Sequence, residues 1–276
     1  VSDQWAARPP HPALRQVVRR YVGYTQHGVT LPVHRGLPSR SVTLIISLAE
    51  PIRVVGGPGA EHGPLRRHCV VGGLHLAPVL IGQDFHQQGL HLELNPLGVR
   101  ALLGVSATEL ASTTVDAGEL PVPWARDLPA RLRELPDWAA RFDLLDRALA
   151  ATIAPVTLVS EIQWAWRSMV AGHGGVGVSE LAEEIGWSRR HFSERFAREV
   201  GVSPKQAARL MRFERSESLL RSGGWRTLAD VAAQAGYYDQ AHMANEWRSL
   251  AGCPPSTWIA EELPFLQAGG TALLAD

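Results

Sequence analysis

The second half of this chain repeats itself. Ala182, Gly186, Phe192, Phe196, Gly201 and Pro204 return as Ala232, Gly236, Met243, Trp247, Gly252 and Pro255. The copies are about 50 residues apart, a period that marks one recurring supersecondary unit. The second turn, "GYYDQ", carries one residue more than the first, "GWSR". In "VSELAEEIG", Leu181, Ala182 and Ile185 share a face, and the small Ala182 lets a partner helix come close. Gly186 stands where the chain must turn sharply, in a left-handed conformation that glycine adopts at little cost. Ser188 can cap the next helix, "RRHFSERFAREV", in which Phe192 and Phe196 point inward four residues apart. Arg189, Arg190, Ser193 and Glu194 lie on its other face.

The second copy follows the same rules. Thr227 and Asp230 make a capping box for "LADVAAQA", Gly236 turns the chain and Asp239 caps "QAHMANEWRSL". Met243 and Trp247 anchor that helix, leaving Gln240, His242 and Asn245 outward. Between the copies Ser203, Pro204 and Gln206 open a longer helix that Gly223 and Gly224 close. About 19 residues of helix make a rod of roughly 28 Å. With its flanking turns, such a rod sets the two units about one duplex turn, roughly 34 Å, apart.

The first half has a different grammar. "SVTLIISL" at 41–48 and "RHCVVGGLHL" at 67–76 are β-branched, apolar and flanked by turn residues. "GLHLEL" sets Leu90, Leu92 and Leu94 on one face and His91 and Glu93 on the other, the pattern of a half-buried strand. Strands are expected up to about Leu94 and helices beyond it. Asn95 and Pro96 can start one helix, Ser106 with Glu109 can box the next, and Trp138, Phe142, Leu145 and Leu149 space out an amphipathic helix over roughly 137–153. The expected fold class is α+β: a β-rich, cupin-like or related, N-terminal domain followed by an all-α domain. The expected division is 1–154, 155–262 and a tail, 263–276.

Composition sets limits around this plan. A hydrophobic fraction of 45% with 20% charged residues excludes disorder as the main state. No apolar run approaches the roughly 18 residues that span a bilayer. The N-terminus lacks the order of a signal peptide, and two cysteines are too few for a disulfide scaffold or a four-thiolate zinc site. A reduced cytoplasmic location and no membrane partner are the expectation. Net charge is zero and gives no argument for nucleic acid. Local charge does: between Ser188 and Arg226 stand Arg189, Arg190, Arg195, Arg198, Lys205, Arg209, Arg212, Arg215, Arg221 and Arg226 against Glu194, Glu199, Glu214 and Glu217. The excess of cations suits phosphate contacts; the alternative is a solvated surface with pairs such as Arg195–Glu199.

"SELAEEIGWSRRHFSERFAREVGVSPKQAARLMRFERSESLL" and "TLADVAAQAGYYDQAHMANEWRSLAGCPPSTW" together resemble the AraC/XylS family of transcription regulators, over about residues 157–260. The resemblance implies two helix-turn-helix units joined by a long helix, with "TLVSEIQWAWRSMVAG" as leading helix packed through Leu158, Ile162 and Trp166. It implies double-stranded DNA as partner, with a homodimer, a small-molecule effector and RNA polymerase as further partners to consider. The candidate DNA-binding residues are Ser188, Arg189, Arg190, Ser193, Glu194, Arg198, Asp239, Gln240, His242, Asn245 and Arg248. Arg189 or Arg190 can pair with guanine, Glu194 can accept from cytosine, and Gln240 and Asn245 suit adenine. The family often carries a basic residue at the positions of Glu194 and Asn245, Phe at Trp247, and Ser or Thr at Pro254. These departures leave the recognised sequence open.

In the family the β-rich half binds an effector, forms a dimer, or both. "RGLPSRSVTLIISL" and "LHLELNPLGVRALLGVSATELA" look like the N-terminal half of actinobacterial regulators of this type. His62, His68, His75, His86 and His91 are read as surface or pocket histidines, a divalent ion near His86, His91 and Glu93 being the alternative. Neither a metal nor another cofactor is expected. Cys69 is expected as a buried strand residue, and Trp138 and Phe142 as packing. No nucleophile–base spacing, phosphate loop or paired carboxylates point to an enzyme. The rival function is a constitutive DNA-binding regulator whose first half only dimerises or binds another protein.

Overall fold

Alternation along the strands builds the first half. In the computed structural model, which describes residues 3–60 and 63–263, β1 (Gln4–Arg8), β2 (Val18–His27), β3 (Val33–Gly36) and β4 (Val42–Ser47) lead into β5 (Ile52–Gly56), β6 (Leu65–Arg67), β7 (Cys69–Gly72), β8 (Val79–Gly82) and β9 (His86–Leu94). Val42, Leu44 and Ile46 of β4 stand opposite Leu94, Leu92 and Leu90 of β9, all fully buried. A slip of one residue would turn both apolar rows to the wrong face, so this register is strongly specified. His91 and Glu93 occupy the opposite face, as their alternation requires.

The strands form two antiparallel sheets, ordered β1-β2-β9-β4-β7-β10 and β3-β8-β5-β6, where β10 is Thr114–Asp116. The larger sheet turns its leucine-rich face to α1 (Val99–Leu103), α2 (Ala107–Leu110), α3 (Trp124–Arg133) and α4 (Trp138–Ala150). Its other face looks across a cavity at the smaller sheet. Strand β10 lies within the stretch expected to be helical; three residues paired to β7 are too few to show a period. Helix α3 escaped the sequence reading because Pro129 interrupts its pattern. The strand read at 67–76 is shorter, ending at Gly72. The Ser106–Glu109 capping box is present, and Asn95 caps a 3-10 turn, Pro96–Gly98, that leads into α1.

Helix α4 docks on its own sheet. Tyr21 and Phe142 rings meet at 5.3 Å, Tyr21 donates to Asp146, and Arg8 of β1 bridges Asp143 at 2.6 Å and Asp146 at 2.5 Å. Trp138 lies in the gap left by the missing side chain of Gly23, where an added Cβ would stand 2.3 Å from the indole. Trp138 and Phe142 are thus intramolecular packing residues. Cys69 is buried, and burial pushes its thiol up to about 12. His62 and residues 264–276 lie outside the described residues; of the tail, only Leu263 is included, and it is buried.

The second half is helical: α5 (Ser160–Ala171), α6 (Val178–Glu184), α7 (Arg189–Val200), α8 (Pro204–Ser222), α9 (Leu228–Gln234), α10 (Gln240–Ala251) and α11 (Pro255–Glu261). Ile162 and Trp166 of α5 are buried as expected, whereas Leu158 precedes the helix. Phe192, Phe196, Met243 and Trp247 are fully buried, and Gly186 and Gly236 take φ of 72° and 82°. Trp247 suits its site because its indole N–H donates to buried Ser216 at 2.9 Å, and Ser216 donates on to the Phe213 carbonyl. The helix-turn-helix α6–α7 shares one apolar core with the β-rich half; α9–α10 has its own, onto which Leu37 and Leu76 pack.

Replacing Gly23 with Ala drives a methyl group into the Trp138 ring, and overpacking of this kind costs about 1–3 kcal/mol. The denaturation midpoint of Gly23→Ala should fall accordingly in chemical unfolding, and an unchanged midpoint would show that α4 is not seated on β2.

Candidate nucleic-acid interface and the cavity behind it

Helices α7 and α10 begin with different chemistry at equivalent places. The Ser188 hydroxyl accepts from the His191 N–H at 3.2 Å, and the Asp239 carboxylate accepts from the His242 N–H at 2.7 Å. Each cap is worth about 1 kcal/mol to its helix. The serine keeps a hydroxyl proton to donate outward; the ionised carboxylate keeps none. Ser188, Arg189, Arg190, Glu194 and Arg198 are exposed, with Ser193 half-buried. Asp239, Gln240, His242, Asn245 and Arg248 are exposed on the second unit.

Four of these residues are engaged with one another, as two pairs. The Arg190 side chain is 88% exposed, and its Nε donates to Glu194 at 2.8 Å, one turn along. Glu194 thereby holds the guanidinium and leaves its two terminal nitrogens free for a bidentate acceptor. Arg248 donates to the Asn245 Oδ1 at 2.9 Å, so the Asn245 amide presents its NH2 group rather than a free donor–acceptor pair. One further residue stands out: Tyr238, in the turn before α10, is 93% exposed. Its neighbour Tyr237 is buried beside Arg212. The sequence signal was the extra residue of the second turn, but "YY" does not say which ring points out.

The local excess of cations divides once the chain is folded. Arg209 and Arg212 bind the buried Glu246 at 2.9 and 3.4 Å, tying α8 to α10. Arg195 pairs with Glu199 at 3.0 Å. Arg215 and Arg221 line the cavity on the opposite side, Arg221 with Glu217 beside it. Arg189, Arg190, Arg198, Lys205, Arg226 and Arg248 remain exposed. Of the ten cations counted between Ser188 and Arg226, four therefore serve packing between helices or face the cavity, and Arg195 makes the helix-surface pair named as the alternative.

That cavity measures about 440 Å³. Thr43, Ile45, Ser47, His91 and Glu93 line it from the larger sheet, Ile52, Val54, Val79 and Ile81 from the smaller one, and Trp5 and Tyr24 stack at 5.8 Å along its wall. A further wall comes from the helical half: Phe213, Glu214, Arg215, Glu217, Ser218 and Arg221 of α8, with Trp258 of α11. Burial keeps His91 below the usual imidazole range. Burial pushes Glu93 upward, but Arg20, His91 and Arg19 together hold it below the usual carboxylate range. His86 is exposed, and among the described residues no three His, Cys, Asp or Glu side chains gather as a metal site.

Polar contacts join the two halves around the cavity. The Glu214 carboxylate accepts from the Arg40 backbone N–H at 3.1 Å and lies 3.4 Å from its guanidinium. Burial pushes Glu214 up to about 7 despite Arg40. The buried Glu262 accepts from the Arg35 N–H at 2.9 Å and meets His34 at 2.7 Å, and Arg35 reaches Glu261 at 2.6 Å. Thr108 of α2 donates to the Arg198 carbonyl at 2.8 Å, closing the end of α7. Gly201 follows, where an added Cβ would meet the Ala107 carbonyl at 2.6 Å.

Two features now define the class: tandem helix-turn-helix units on one connecting helix, and a β-rich half that shares a cavity with that helix. A helix-turn-helix domain family matches residues 181–261, and this region of the chain is an AraC-type helix-turn-helix domain. The chain is 32% identical over 68 residues to the HTH-type transcriptional regulator YbfI of Bacillus subtilis, which is 25% of this chain and 24% of that protein. It is 29% identical over 86 residues to an HTH-type transcriptional regulator of Staphylococcus aureus, 31% of this chain and 11% of that protein. The chain therefore spans only a quarter or less of the curated relatives it matches. Two structures of ToxT from Vibrio cholerae share the fold over nearly the whole length. One, an apo form, has a TM-score of 0.54 at 10% identity, covering 92% of this chain and 99% of that one. The other has a TM-score of 0.50 at 10% identity, covering 95% and 99%. Among the described residues no helix is long and apolar enough to cross a membrane.

Glu214 makes stability depend on pH. Its folded-state value lies above the ordinary 4.5, so the folded chain holds more protons between about pH 4.5 and 7 and loses stability as pH rises through that window. Glu214→Gln should flatten this decline, measured as denaturation midpoints between pH 5 and 8; a parallel decline in the variant would place the proton elsewhere.

Proposed function

We propose that this protein is a sequence-specific DNA-binding transcription regulator whose affinity for DNA is set by a small molecule in the cavity. The observation that carries this reading is the double use of α8. It joins the two helix-turn-helix units, and its Glu214, Arg215, Ser218 and Arg221 form a wall of the cavity. A molecule that displaces this wall moves the rod against the β-rich half, and with it the placement of both α7 and α10. An effector shifts the equilibrium only by its differential affinity for the two arrangements. In this reading the division falls at 154/155: residues 1–154 supply most of the effector cavity and serve a homodimer, and residues 155–262 bind DNA and close the cavity through α8 and α11.

In the DNA-binding half, Arg190 reads guanine through the two terminal nitrogens that Glu194 leaves free. Arg189, Arg198 and Ser188 contact phosphate, as does Arg248 in the second unit. Gln240 and His242 reach base edges, and Asn245 donates through its amide. Asp239 acts through its cap.

Selection from random duplex DNA by the purified chain, at about 0.15 M salt to suppress non-specific contacts, should recover two short boxes one helical turn apart. On that site Arg190→Ala should weaken binding about ten-fold and relax the preference at one base pair. An equal loss on every sequence would reassign Arg190 to phosphate. No enrichment by folded protein, with or without added small molecules, would refute the DNA-binding reading.

The effector part has its own test. Small molecules that raise the melting temperature should also shift the affinity for the selected site. Ile45→Trp, which fills the cavity from the larger sheet, should abolish both effects. Binders that stabilise the protein and leave DNA affinity unchanged would favour constitutive DNA binding.

A further inference from the structure

The two units present unequal donors to a phosphate at the start of their outward helices. In the first, Ser188 caps α7 through a lone pair and keeps its hydroxyl proton for an outside acceptor. In the second, the cap is the Asp239 carboxylate, which has no proton to give and repels an approaching phosphate. Directly before it stands Tyr238, the residue by which the second turn exceeds the first. Its side chain is free in solvent, yet its backbone is held: the Tyr238 N–H donates to His242 Nδ1 at 3.4 Å, Asp239 caps the helix, and Tyr237 is buried just before it. Among the described residues only Val55 and Phe85 are also large, apolar and exposed, and both belong to the β-rich half. Tyr238 shares its edge of the molecule with Gln240 and His242 instead.

We infer that Tyr238 is a DNA contact, its phenolic hydroxyl donating to a backbone phosphate in place of the hydroxyl that Ser188 supplies in the first unit. This rests on the DNA-binding reading. Tyrosine hydroxyls are established donors to phosphate oxygens, and such contacts fix register and orientation without reading sequence. The phenol is neutral, so it anchors α10 beside Asp239 without the charge that an arginine would bring against the cap. It also explains how a unit with an acidic cap can sit against a polyanion.

The test uses the full chain with the selected duplex and a random-sequence duplex, comparing Tyr238→Phe, Tyr238→Ala and Arg190→Ala. Full exposure of Tyr238 means neither of its variants disturbs the core, which circular dichroism checks. Tyr238→Phe should weaken binding to both duplexes by the same factor, about five-fold for one hydrogen bond, with the base preferences and salt slope unchanged. Tyr238→Ala should lose at least as much. Wild-type affinity in both Tyr238 variants while Arg190→Ala is weakened would overturn the inference and leave DNA binding intact, assigning the ring to another partner. A changed preference at one base pair would overturn the phosphate assignment in favour of base reading. Absence of binding by the wild-type chain to either duplex would overturn the DNA-binding reading and this inference with it.

Discussion

Helix α8 is packed on three sides, and the arrangement of the whole molecule follows from that. Ala207, Ala208 and Met211 belong to the core shared by the β-rich half and the first helix-turn-helix, whereas Leu210, Phe213 and Leu220 belong to the core of the second. Its third side, through Glu214, Glu217 and Arg221, is polar and closes the cavity. A helix committed to two cores cannot shift against one without disturbing the other, since packed interiors have little free volume. This makes α8 a rigid link between the units and, at the same time, part of the cavity wall.

The contacts between the halves are mixed in kind. Thr108, Ala107 and Gly201 meet by close backbone approach, which tolerates no added side chain. Arg40–Glu214, His34–Glu262 and Arg35–Glu261 meet through charge. Glu214 carries the larger electrostatic cost, because the Arg40 guanidinium stands at 3.4 Å and burial outweighs the pairing. A joint held partly by a costly carboxylate is easier to rearrange than an apolar one.

Much of the helical half was legible from residues alone. Capping boxes at Thr227–Asp230 and Ser203–Gln206, the turns at Gly186 and Gly236, and the inward Phe192, Phe196, Met243 and Trp247 all appear where local rules place them. The outward faces of α7 and α10 followed from the same spacing. Less legible was what those faces do to themselves: Glu194 holds Arg190 and Arg248 holds Asn245, and side-chain rotamers decide such pairs after the backbone is set. Strand β10 and helix α3 were missed because a three-residue strand has no measurable period and Pro129 breaks the pattern of the helix.

The sequence by itself determined the elements whose cause lies within three or four residues: caps, left-handed turns, apolar stripes, and the tandem repeat that joins them. The tertiary structure alone decided which arginines stay outside, because Arg209 and Arg212 meet Glu246 across 34 to 37 residues of chain. It also decided that polar residues on β4, β9 and α8 surround one cavity, and that Tyr237 turns in while Tyr238 turns out. Each of these depends on surfaces brought together from distant parts of the chain, where burial and pairing are settled only when the partner arrives.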